Sequence, residues 1–144
     1  MRTIPLITGL LLSVSMAPAP SQERTPAPEG AEAYIQSPTD GAVVTSPVTV
    51  RFGLRGVGVA PAGVQRPNSG HHHLLIDVAD GDMPSFDLPL PASDQVVHFG
   101  GGQTETQREL EPGQHTLQLV LGDHLHTPHS PPVTSERITI TVTE

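Results

Sequence analysis

The chain has 144 residues, 16 of them proline and none cysteine, with a formal net charge of −8 at pH 7. That length gives room for one domain, and the lack of cysteine excludes a disulfide framework, a thiolate ligand and a lipid-bearing cysteine. An acidic chain is a poor match for nucleic acid or anionic lipid, and its charge suits the attraction of cations.

The first residues read as an export signal. Met1-Arg2 is a short positive opening, Ile4 to Met16 is apolar, and small residues follow. The apolar stretch is too short to anchor the chain across a bilayer, so no membrane span is expected once it is removed. Proline follows Ala17 and Ala19, which disfavours cleavage there, and the expected cut falls after Ser21. The mature protein is then periplasmic or secreted. Residues 22–32, QERTPAPEGAE, offer little to bury and are expected to be a disordered lead-in. The folded domain is expected over residues 33–144.

Within that domain the apolar residues alternate with polar ones, and helical periodicity is absent. Strands are expected at Tyr34 to Gln36 and at Ala42 to Thr45. In SPVTVRFGL, Val48, Val50, Phe52 and Leu54 share a face; HTLQLVLGD aligns Leu117, Leu119 and Leu121; ERITITVTE aligns Ile138, Ile140 and Val142. Further strands are expected at His72 to Val78, Gln95 to Phe99 and Thr104 to Leu110. SPTDG, the GGG of Gly100 to Gly102, and EPG punctuate them, the glycine run reading as a hairpin-type connection. Seven to eight short antiparallel strands define an all-β, immunoglobulin- or fibronectin-like sandwich.

In such a sandwich the third strand, opened by SGHHHLLID, lies antiparallel to the sixth, which exits into GDHLHTPHSPP. The two histidine runs therefore meet at one end. If Leu74, Ile76 and Val78 face the core, His72 points inward while His71 and His73 project together from the other face. Neighbouring positions on one face stand about 6.5–7 Å apart at the backbone, close enough for two imidazoles to converge on an ion. His124 and His126 repeat that spacing. The proposed ligands are His71, His73, His124 and His126, with His129 and His98 as substitutes and Asp123 as a carboxylate orienting an imidazole from outside the ligand shell. Four nitrogens suit copper first and zinc second; Met83 is a possible soft ligand for cuprous ion. His115 begins the sixth strand, roughly 20 Å from the cluster at ~3.3 Å per residue, and reads as a residue pinning the corner before that strand. The glycine-rich loop GLRGVGVAPAGVQRPNSG is long enough to wall the site.

Other motifs carry less. VADGDMPSFD lacks the ligand order of a calcium loop, and a turn at Asp80-Gly81 is the better reading. FGGGQTE has no following lysine of a phosphate cradle. Ser69 and Ser130 lie near histidines without the strand–turn–helix that strains a catalytic serine.

The stretches GHHHLLID, HFGGGQTE, LEPGQHTLQLVLGDHLHTPHSPPV and SERITITV, covering roughly Ala33 to Val142, resemble a family of small exported bacterial domains of unknown function. That resemblance implies that the histidine segments are a family trait, and it implies no activity. The expected protein is a monomeric, non-enzymatic carrier that sequesters copper or zinc or delivers it to an envelope protein. Two alternatives are a cell-envelope interaction module for protein or polysaccharide, its histidines structural, and a small metal-dependent redox or hydrolytic enzyme.

Overall fold

A computed structural model describes residues 23–144; the expected signal, residues 1–21, lies outside the described residues. The alternating segments form the strands, because an extended chain presents successive side chains to opposite faces. In chain order they are β1 (Glu32–Ser37), β2 (Val43–Thr45), β3 (Val48–Arg55), β4 (Gly58–Val59), β5 (Ser69–Ile76), β6 (Val96–His98), β7 (Glu105–Arg108), β8 (Gly113–Gly122) and β9 (Ile138–Thr143). A 3₁₀ turn at Asp80–Asp82 occupies the stretch read as a turn.

Two sheets result. One has the order β1-β3-β7; the other runs β2-β9-β8-β5-β4, with β6 also paired to β5. Val48, Val50 and Phe52 of β3 meet Leu74 and Ile76 of β5, Leu117, Leu119 and Leu121 of β8, and Ile138, Ile140 and Val142 of β9 in one buried core. The strand order is that of an immunoglobulin-like sandwich. β5 and β8 are antiparallel neighbours, with His71 opposite Gly122 and Ile76 opposite Leu117, so the start of one lies beside the end of the other.

Two local expectations are corrected. Val78 does not continue the inner face, because Asp77 takes a positive φ of 54° and breaks the alternation. Val78 instead joins Leu75, Leu90, Val96 and Val120 in a second buried cluster, with Met83 and Phe86 against it. The outer face of β5 is thus covered by the chain between β5 and β6. Gly100 to Gly102 do not close a hairpin: β6 pairs with β5 whereas β7 pairs with β3. Phe99 turns into the core against Phe52, ring centroids 4.8 Å apart, and carries the chain from one sheet to the other. Residues 23–32 contact the folded domain. Ala27 N donates to Ser130 O (3.0 Å), Ser130 N donates to Thr25 O (2.9 Å), and Ala27 and Ala31 pack on the core. Composition records what a segment can bury, and this one is held by hydrogen bonds to a proline-rich loop.

Candidate metal centre

Strand alternation divides the triplet. His72 faces the core, its ring 5.0 Å from that of Phe52. His71 and His73 share the opposite face with ring centroids 4.6 Å apart, and all three are buried. Two glycines make the space. A Cβ at Gly122 would overlap Cε1 of His73, and one at Gly70 would overlap the carbonyl of Gly122 and lie 3.0 Å from Cε1 of His129. Glycine inside a strand often marks such a close approach, and the glycines before HHH and before DHLH carry that signal in the sequence.

Two further elements deliver imidazoles. β6 pairs His98 directly with His73, and their rings stand 4.3 Å apart, edge to face. Nε2 of His98 donates to the carbonyl of Pro91 at 3.0 Å, since a carbonyl only accepts. After β8 the chain turns sharply, with His126 N donating to Asp123 O at 3.0 Å and His126 at φ 67°. That conformation aims the His126 ring back at β5 and β6: centroids lie 4.8 Å from His71, 5.7 Å from His73 and 4.8 Å from His98.

His71, His73 and His126 bring one nitrogen each to within 4.8 Å of one another. His71 Nε2 and His126 Nδ1 are 2.9 Å apart. Two imidazole nitrogens each ~2.0–2.1 Å from a shared ion stand roughly 2.9–3.4 Å apart for bond angles between square and tetrahedral, so this one pair is spaced for common ligation as well as for a hydrogen bond between the rings. Nδ1 of His71, of His72 and of His129 and both nitrogens of His73 are buried without a well-formed hydrogen bond, the Val120 backbone lying within reach of the His73 ring. Each such group costs about 1–3 kcal/mol, and an ion shared by His71 and His73 would offset part of that cost. Burial, then the neighbouring His126 and His98, lowers the His71 pKa to about 4. Burial, then His71, lowers that of His73 to about 2, and burial followed by His98 lowers that of His126. The rings are neutral at pH 7, the state that ligates.

The remaining expected residues are placed as follows. His124 lies on the same turn as His126, but residues 123–126 form a turn and not a strand, so the two rings do not share a face. His124 instead lines a small cavity with Val64, Arg66 and Ser69, where Gly63 N donates to His124 O at 2.9 Å; the long glycine-rich loop walls this end. His129 is buried, with Nε2 donating to Ser69 O at 3.2 Å, near but outside the three-nitrogen group. Asp123 bonds no imidazole. Its Oδ1 accepts from Leu125 N (2.9 Å) and Thr127 N (3.0 Å), and its Oδ2 accepts from the Thr25 hydroxyl (2.7 Å). Burial would raise its pKa, and these three hydrogen bonds outweigh burial and lower it. Met83 is remote, its sulfur 3.5 Å from an Arg137 nitrogen. His115 holds the corner as expected: Nε2 donates to Glu111 O at 2.8 Å, and Nδ1 meets Asp77 Oδ2 at 2.7 Å.

An all-β sandwich with a buried cluster of imidazoles able to hold a metal ion is the class of protein this geometry defines. The chain belongs to the family described as a domain of unknown function (DUF4399), whose model matches residues 50–143. No curated protein and no solved structure is significantly similar to it.

Proposed function

We propose that the protein binds a single transition-metal ion through His71, His73 and His126, copper before zinc, and holds it or passes it to an envelope protein outside the cytosol. One observation carries this reading: three imidazole nitrogens, one each from His71, His73 and His126, converge within 4.8 Å of one another.

The donor set is nitrogen only, and nitrogen sites prefer cupric ion to the other divalent first-row ions. The ion supplies a positive charge that the neutral rings can share. His71 and His73 come from a rigid strand and fix two donors. His126 comes from a turn and is the donor nearest solvent, being only partly buried. In this reading His126 and not His124 serves as the ligand from the turn. His98 keeps its Nε2 proton on Pro91 and packs edge-on against His73, fixing that ring. Export by a cleaved signal would place the site where copper is not scavenged by thiols.

Calorimetric titration of the purified protein with cupric and zinc ions, together with thermal melts, tests the proposal. One equivalent bound with a raised melting temperature supports it. A melting temperature indifferent to both ions overturns it and favours the interaction module.

A further inference from the structure

His126 depends on a turn whose conformation is not self-supporting. A non-glycine residue at positive φ costs on the order of 1–3 kcal/mol and persists only where its surroundings over-determine it. The loop that follows, HTPHSPP, is short of backbone N–H groups because proline has none, yet its carbonyls need donors. Residues 24–27 supply them. The Arg24 guanidinium donates to Pro128 O at 3.0 Å and to His129 O, and Ala27 N donates to Ser130 O at 3.0 Å. Three successive carbonyls are thus satisfied by one segment. Thr25 donates its hydroxyl to Asp123 Oδ2 at 2.7 Å, and the other oxygen of that carboxylate holds Leu125 N and Thr127 N on either side of His126. Arg24 also pairs with Asp87 at 3.2 Å, its own side chain 18% exposed.

We propose that residues 24–27 form a strap that sets the ion site, with Arg24 and Thr25 as positioning residues acting on His126 through Asp123 and the 128–130 carbonyls. The inference rests on the metal-binding reading and adds its regulation: strap docking and ion binding favour the same loop conformation, so each strengthens the other. Coupling of this kind is reciprocal.

The test uses the chain with its strap intact and cupric and zinc ions as probes. In the Arg24→Gln/Thr25→Val double variant, ion affinity is expected to fall about tenfold, within the usual 5–150-fold range of such coupling, mainly through faster release. Thr25→Ser, which keeps the hydroxyl, is expected to bind as wild type does. A second measurement needs no variant: ion binding to the wild type should slow amide hydrogen exchange at Ala27 and Ser130. Unchanged affinity in a folded double variant overturns the strap alone, as does exchange at Ala27 and Ser130 that ignores a bound ion. Wild-type protein that binds neither ion overturns the metal reading, and the strap's role with it, before any substitution is made.

Discussion

The imidazole of His73 lies over the bare α-carbon of Gly122, so closely that a methyl group there would overlap Cε1 of the ring. The neighbour is a buried ring held from the other side by His98, and it has nowhere to go. Gly122→Ala should cost about 1–3 kcal/mol, the usual penalty of overpacking, read as a lower urea midpoint. The same variant should bind cupric ion more weakly because His73 is displaced. An unchanged midpoint would refute the close approach.

Removing one converging nitrogen should be more damaging than removing an outer support, which typically costs 10–100-fold in affinity. His73→Ala and His126→Ala are therefore expected to lose more than about 100-fold in cupric-ion affinity by calorimetry. His124→Ala, whose ring lies off the cluster, should stay within about threefold of wild type. Equal losses in all three would show that the turn is arranged differently.

His115 makes a prediction of its own at the far end of the sandwich. Both of its partners, Asp77 Oδ2 and Glu111 O, accept, so this environment favours the ring protonated on both nitrogens. Burial opposes the charge, but the bonds to Asp77 and Glu111 outweigh it and raise the pKa above 6.5. With the folded value above the unfolded one, the stabilisation is fully present below pH 6.5 and disappears as pH rises through the folded value. The stability of wild type toward denaturation should fall by about 1 kcal/mol across that rise, and His115→Gln should abolish the slope. A slope retained in the variant would assign it to another group.

Leu90 tests the cover on the outer face of β5. It packs with Leu75, Val78, Val96 and Val120, and its backbone N–H donates to His126 O at 2.9 Å. Leu90→Ala should destabilise by roughly 2–5 kcal/mol in urea titration and speed ion release. A loss well under that range would mean the loop is only loosely laid down.

Much of this architecture was written in local pattern. Period-two alternation marked β3, β8 and β9, and it sorted His72 inward from His71 and His73 outward, because side-chain direction in a strand follows from backbone geometry alone. General sandwich topology then placed the start of β5 beside the end of β8. The His115 corner was legible for the same reason, as a position relative to a turn.

What only the tertiary structure decided lies in irregular backbone. That His126 joins the cluster while His124 does not depends on a positive φ at His126 held by Asp123, by Leu90 and by Thr25, which is 98 residues away from Asp123 in the chain. That the outer face of β5 is covered depends on a loop folding back over it. The amino-acid order determined which residues could ligate and roughly where they would gather. Which nitrogens converge was settled by hydrogen bonds between segments far apart in the chain, and no short-range periodicity encodes those.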